Sequence, residues 1–170
     1  MGQSMQFYAC PESTVEQLEE VDLDDFHDLI DEIQTGNFCP EYAWNILFFL
    51  LDAMGETHFD DDEFQILDEE GEICDNPDCV LEGEPLENGP DFCQLLDADS
   101  VGYAAAVLKT FTVEHLRKRF DSDCYKEAVS KGDIYRHSHE FEEVAAAYLE
   151  MREFFMKAAE RGDVVVYYFI

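Results

Sequence analysis

The sequence predicts an α+β fold, a helix-rich domain with a small sheet, and three stretches carry this prediction. Residues 40–54 are apolar nearly all the way round a helix, so they predict a central apolar helix that other elements surround. Residues 138–161 place apolar side chains on one helical stripe and stop at Gly162, which predicts a long C-terminal helix. Residues 164–170 are typical of a terminal strand, which must be paired because a free apolar strand would aggregate.

The length and composition favour a single domain spanning residues 1–170. The chain has 170 residues, of which 46% are hydrophobic, and this is enough to form one buried core. The first residues carry neither a basic segment nor a long apolar run, so no secretory signal is predicted. Residues 40–54 would span about 22 Å as a helix, which is too short for a bilayer. We therefore expect a cytoplasmic protein with no membrane contact.

Two acidic helices are predicted after an N-terminal strand. Ser13 and Glu16 have the spacing of a capping box, which predicts the start of a short helix. A second helix is predicted over residues 24–35, with Gly36 as its C-terminal cap. His27 lies beside the apolar stripe of this helix, and we interpret it as a surface histidine rather than a catalytic one.

The central apolar helix is followed by the most acidic part of the chain. Pro40 suits the first turn of the helix and Gly55 lies just past its end, an asymmetry that helices favour. Residues 56–79 lack periodicity and predict a long acidic surface loop. No window here or later has the ligand spacing of an EF-hand, and Asp97 or Asp99 is instead expected to cap the next helix.

The second half of the chain predicts a strand and short helices before the long one. Residues 92–96 form the candidate strand, residues 100–110 a helix, and Thr112 can cap another helix. The terminal strand at 164–170 is expected to pair with the N-terminal strand at 5–9 or with the strand near 92–96. The pattern of helices and few strands is that of an α+β domain.

A short basic run lies in the helix that Thr112 caps. Arg117, Lys118 and Arg119 are predicted to lie outside, where bases late in a helix complement its dipole. No aromatic residues are interleaved for base stacking, so the run does not predict nucleic-acid binding. One more short helix, over residues 123–131, is closed by Gly132.

The six cysteines favour reduced, mostly buried thiols. No two of them form a Cys-x-x-Cys pair, and a chain with a full core needs no disulfides. Cys74 and Cys79 are close enough to suggest a zinc site, but the region offers no second close pair. We therefore predict no cofactor and no metal.

The net charge of −31 is very unevenly distributed. Residues 1–100 contain 29 of the 41 Asp and Glu residues and no Lys or Arg, whereas residues 101–170 contain all ten bases. Three explanations compete: a solvated surface that aids solubility, adaptation to salt, and an acidic face that meets a basic partner. Direct nucleic-acid binding by the first hundred residues is disfavoured, because phosphate contacts need Lys and Arg.

The partner hypothesis concerns the acidic first hundred residues. They would contact a basic protein, such as a nucleic-acid-binding protein or a toxin, in the manner of a DNA mimic or an immunity protein. The predicted contact residues within the acidic loop are Asp60, Asp61, Asp62, Glu63, Asp68, Glu69 and Glu70.

The chain lacks the common catalytic motifs. It has no Gly-x-Ser-x-Gly, His-Glu-x-x-His, Gly-x-Gly-x-x-Gly or phosphate-cradling loop. Two histidines near the start of the long helix suit capping and solvation. The alternative is a small enzyme of unknown reaction, whose candidate residues are His137, His139 and Cys124. The sequence favours a non-enzymatic protein-interaction domain.

An ordered set of short motifs resembles the YfbM-like family. The motifs are the Met-Gly start, 44–49 (WNILFF), 80–86 (VLEGEPL), 114–120 (EHLRKRF), 133–135 (DIY) and 157–162 (KAAERG) before the terminal strand. The family comprises small bacterial α+β proteins described as a domain of unknown function. The resemblance therefore implies a fold and leaves the function open. Members of the family carry a histidine where this chain has Phe48, so chemistry that needed this imidazole is absent here.

Overall fold

The described strands form one antiparallel sheet. The computed structural model describes residues 4–51, 59, 81–134 and 139–170. The strands among these residues are β1 (Met5–Pro11), β2 (Gly36–Phe38), β3 (Glu84–Pro85), β4 (Gln94–Leu96) and β5 (Asp163–Phe169). Their spatial order is β2-β1-β5-β4-β3, and every neighbouring pair is antiparallel.

The terminal strand β5 occupies the centre of this sheet. It pairs with β1 from Met5 opposite Phe169 to Pro11 opposite Asp163, and on its other edge it pairs with β4. Both pairings that the sequence suggested are therefore confirmed. Residues 163–168 are buried on both faces of the sheet, which explains the nearly continuous apolar run.

Helices cover both faces of the sheet. The described helices are α1 (Val15–Glu20), α2 (Leu23–Ile33), α3 (Trp44–Leu50), α4 (Ala98–Thr110), α5 (Val113–Phe120), α6 (Asp123–Lys131) and α7 (Phe141–Arg161). On one face, α1 and α2 pack on Val164, Val166 and Tyr168 of β5. On the other face, the remaining helices form the larger core around Val165 and Tyr167. The α+β prediction is confirmed. None of the helices in the described ranges is both long enough and apolar enough to cross a membrane.

The central helix begins later than predicted. A 3-10 turn over Glu41–Ala43 precedes α3, and Glu41 has a φ of 48°. This left-handed backbone interrupts an α-helix, so α3 starts at Trp44 rather than at Pro40. Gly55 lies outside the described residues. Phe48 is a buried core residue whose ring lies 6.2 Å from that of Phe7.

Two predicted caps near the N-terminus are wrong. The Ser13–Glu16 capping box does not form, because a 3-10 turn over Glu12–Thr14 precedes α1 and no side chain caps that helix. Gly36 does not cap α2, which ends at Ile33 with Gln34 as its C-cap; Gly36 is the first residue of β2. The chain leaves the helix early because the Thr35 N–H donates to the Ala9 carbonyl of β1 at 2.8 Å.

The caps predicted in the second half are confirmed. Asp97 accepts a hydrogen bond from the Ser100 N–H at 2.7 Å, and Thr112 caps α5. Gly132 and Gly162 end α6 and α7 with φ of 83° and 70°, the left-handed conformation that glycine adopts without strain.

Arg119 is a buried cation rather than a surface residue, so its predicted exposure is wrong. Its side chain is 8% exposed, and Nη1 donates to the Leu50 carbonyl at 2.6 Å. Its guanidinium lies 4.6 Å from the centre of the Phe59 ring and 5.1 Å from that of Phe111. These contacts join α5 to the end of α3, and the aromatic faces partly compensate the desolvated charge.

Replacement of Arg119 tests this contact. We expect Arg119→Met to lower the free energy of unfolding by about 1–3 kcal/mol, because the Leu50 carbonyl is left buried without its donor. Urea unfolding followed by circular dichroism measures the change. The control Lys126→Met removes an exposed cation on α6 and should change the value by less than about 0.5 kcal/mol. Equal losses in the two variants would contradict the assignment.

A pH-dependent prediction follows from the α4 cap. The backbone N–H of Ser100, with its side chain, lowers the pKa of Asp97. Because the folded-state pKa is the lower one, the cap stabilises the fold at neutral pH, and this stabilisation is lost as the pH falls through the lowered pKa. We expect Asp97→Ala to cost about 1 kcal/mol at pH 7. The cost should shrink below the ordinary aspartate pKa of about 3.9.

Urea unfolding at neutral and acidic pH measures this difference. Asp99→Ala is the matched control, since Asp99 also lies in the first turn of α4 but does not cap it. An equal cost of the Asp97→Ala change at both pH values would exclude the cap as its origin.

Candidate functional site

Exposed acids form one face of the helix layer made by α1 and α2. We call this surface the acidic helix face. Its members are all exposed, and they are Glu12, Glu16, Glu19, Glu20, Asp22, Asp24, Asp25, Asp28, Asp31 and Glu32. The layer is held on the sheet from its other side by the buried side chains of Leu18, Phe26 and Ile30. The sequence predicted that α2 has an apolar side facing the core and an acidic side facing solvent, because its apolar residues form one stripe.

The acidic helix face carries no compensating cations from the described residues. The described ion pairs of Lys and Arg join Arg117 to Glu142, Lys131 to Glu127, Lys157 to Glu153 and Arg161 to Asp163. All of these residues follow residue 112 in the chain. Within the described ranges, these ion pairs all lie in the second half of the chain, and none of them involves the acidic helix face.

His27 contacts the sheet through a tyrosine. It lies exposed on α2, as predicted, and its Nδ1 is 3.0 Å from the Tyr168 hydroxyl. Burial, with Tyr8 nearby, raises the pKa of Tyr168, so this hydroxyl stays protonated at neutral pH. The contact holds α2 on β5, which is a structural role for the histidine.

The seven predicted partner-contact residues lie outside the described residues, and they are Asp60, Asp61, Asp62, Glu63, Asp68, Glu69 and Glu70. Their role as contact residues stays a prediction.

The enzyme alternative involves residues in different settings. His137 lies outside the described residues. His139 lies next to the start of α7, with Nδ1 3.1 Å from Glu143 Oε2, and the same carboxylate accepts the Glu140 N–H of the capping box. Cys124 is half-buried on α6 against the larger core. The structure thus shows His139 in the capping surroundings that the sequence suggested.

No disulfide joins the described cysteines. Cys10 and Cys93 are buried, and burial raises the pKa of both, that of Cys93 to about 12. Neither forms a thiolate at neutral pH. Cys74 and Cys79 lie outside the described residues, and in the part of the chain that the structure does describe, no three His, Cys, Asp or Glu residues are grouped as metal ligands would be.

A groove lies between the edge strand β2 and the C-terminal half of α7. Its volume is about 710 Å³. We call it the edge groove, and its lining residues are Thr35, Gly36, Asn37, Phe38, Cys39, Glu150, Glu153, Phe154, Lys157 and Arg161. The sequence gives no sign of this site, because the three residues of β2 are too few to show a strand periodicity.

A buried carboxylate organises one end of the edge groove. Asp163 is 4% exposed, and its Oδ2 accepts hydrogen bonds from Arg161 Nε at 2.6 Å and from the Thr35 hydroxyl at 2.7 Å. The Thr35 hydroxyl also lies 3.1 Å from the Ala9 carbonyl. Asp163 therefore fixes the guanidinium of Arg161 beside the start of β2.

Comparisons with known proteins identify relatives of the fold. A family model described as "Domain of unknown function (DUF1877)" matches residues 1–168. No curated protein matches the chain. Among solved structures, a protein of unknown function from Escherichia coli, YfbM, is similar over 98% of this chain and 99% of its own, with a TM-score of 0.59. The two sequences are 16% identical, so this likeness shows the fold alone.

Proposed function

We infer that this chain, which belongs to the family described as a domain of unknown function (DUF1877), acts as a protein-interaction domain rather than as an enzyme. The resemblance to the YfbM-like family is confirmed by the family model and by the structural match. Neither comparison names an activity, so the proposal rests on the surface of this chain.

The acidic helix face carries the proposal. Ten exposed carboxylates lie on one helix layer, and no described Lys or Arg pairs with them. Carboxylates gathered in this way repel one another, and a basic partner would relieve the repulsion on binding. A field of one sign also accelerates encounter with a partner of the opposite sign. We propose that the partner is a basic protein, of the kind that binds nucleic acid or acts as a toxin.

The geometry of α2 supports a docking surface. Asp24, Asp28 and Glu32 follow one another at four-residue spacing, so they lie along one side of the helix. Phe26 and Ile30 are buried on the opposite side and anchor the helix on the sheet. A partner can therefore contact this row without disturbing the core.

A retention experiment with charge-matched variants tests the proposal. The protein is immobilised and exposed to a lysate of its native host at low and moderate salt, and retained proteins are identified by mass spectrometry. We expect basic proteins to be retained. The variant Asp24→Asn/Asp28→Asn/Glu32→Gln should retain them about tenfold less, because it removes the row of charges on α2.

The control variant removes the same number of charges elsewhere. Glu114→Gln/Asp121→Asn/Glu160→Gln neutralises three exposed acids outside the acidic helix face, and retention should stay near that of the unmodified protein. If no basic protein is retained at either salt concentration, the proposed function fails. If both variants lose retention equally, the acidic helix face is not the binding surface.

A further inference from the structure

The edge groove offers a row of backbone groups together with a charged wall. β2 is the terminal strand of the sheet order, so within the described ranges it has a strand partner, β1, on one edge only. The other edge faces the groove, where all three β2 residues are lining residues. An open strand edge beside a helix accepts an extended peptide, because backbone hydrogen bonds then continue the sheet.

The charges along the groove have a defined order. Glu150 and Glu153 lie toward one end of the α7 wall, and Lys157 and Arg161 toward the other. From Glu150 to Arg161 the helix rises about 16 Å, the length of about five residues of a strand. The distance between the acidic end and the basic end of the groove therefore matches the length of an extended peptide of about five residues.

Two contacts establish how β2 and α7 run relative to each other. The rings of Phe38 and Phe154 lie 6.1 Å apart, and a Cβ atom placed on Gly36 would lie 3.5 Å from Arg161 Nη2. The start of β2 is thus beside the end of α7, and the two elements run in opposite directions. A peptide antiparallel to β2 would have its C-terminal end at Gly36 and Arg161.

We propose that the edge groove binds the free C-terminus of a partner protein as an extended strand antiparallel to β2. The terminal carboxylate lies at Arg161, and a basic side chain about five residues earlier lies at Glu150. Antiparallel addition continues the all-antiparallel sheet, and it is the direction that places each end of the peptide against its opposite charge. The order of charges along α7 and the antiparallel pairing with β2 thus favour the same peptide direction.

The guanidinium of Arg161 is held in an orientation in which it can bind a carboxylate. Its Nε is engaged by buried Asp163, and neither Nη nitrogen is hydrogen-bonded to a described residue. The end of the guanidinium can therefore donate two parallel hydrogen bonds to one carboxylate. Lys157 adds a second cation; its ion pair with Glu153 is exposed on both sides and is easily exchanged for a ligand. Asp163 is a positioning residue in this arrangement.

This site is separate from the acidic helix face. The edge groove is built by β2 and α7, whereas the acidic helix face belongs to α1 and α2, which pack on the other face of the sheet. The inference goes beyond the proposed function and does not depend on it. The Asp24→Asn/Asp28→Asn/Glu32→Gln variant should keep its full affinity for a groove peptide, so failure of one proposal leaves the other intact.

Displayed peptides test the inference. A library of random octapeptides is presented on phage with free C-termini, and a second library presents the same peptides with both ends fused. We expect enrichment only from the first library, with Lys or Arg about five residues before the terminus. Equal enrichment from both libraries, or none from either, would overturn the proposal.

The most enriched peptide is then synthesised and its affinity measured by calorimetry. We expect its C-terminal amide to bind at least about tenfold more weakly, because the amide lacks the charge that Arg161 recognises. N-methylation at successive positions should weaken binding at every second residue, since alternate amides of an added strand face β2. A uniform effect of N-methylation would exclude strand addition, and neither measurement requires a protein variant.

Protein variants locate the carboxylate. Arg161→Gln should weaken binding of the free-acid peptide about tenfold and leave the amide unchanged, whereas the control Arg152→Gln on the same helix should affect neither. Asp163→Asn should weaken the free acid specifically, and its fold is checked by circular dichroism. If Arg161→Gln weakens acid and amide equally, the terminal carboxylate does not lie at Arg161.

Discussion

The pairing of β5 with β1 is the constraint on which the other contacts depend, because it joins the two ends of the described chain in the middle of the sheet. A strand buried on both faces requires a helix layer on each side. α1 and α2 form one layer, in which Phe26 and Ile30 of α2 pack on the sheet. The other described helices form the second layer, around the larger core. The acidic helix face and the edge groove both follow from this arrangement, one on the outside of a layer and one where a layer meets the sheet edge.

The charges of the chain are separated in space as well as in sequence. Four of the described bases form ion pairs within the second half of the chain, as Arg117 does with Glu142, and Arg119 is buried against aromatic rings. Among the residues that the structure describes, no Lys or Arg forms an ion pair with the acidic helix face. A protein built in this way presents a field of one sign on one side and a mixed groove on another. We propose different ligands for the two surfaces, a basic protein for the acidic helix face and a peptide C-terminus for the edge groove.

Local signals predicted most of the regular elements. The stop of α7 at Gly162 and the caps Asp97 and Thr112 were recognisable because each acts on its own helix end through hydrogen bonds a few residues apart. The predictions were wrong where contacts with residues distant in sequence outweigh the local signals. The Thr35 N–H bonds β1 and ends α2 before Gly36, and the carbonyl of Leu50 draws Arg119 into the core. Neither partner lies near in sequence, so neither effect has a local signature.

The sequence by itself determined the α+β class and the separation of charge, because periodicity and the distribution of charged residues can be read directly along the chain. The family was indicated by the resemblance of its ordered motifs. Only the tertiary structure decided which strand lies at the centre of the sheet and which at its edge. It also decided that Asp163, at the start of β5, orients Arg161 and Thr35 at the mouth of a groove. The reason is physical: the contact of Asp163 with Thr35 joins residues more than a hundred positions apart, and it exists only when the sheet pairs β5 with β1.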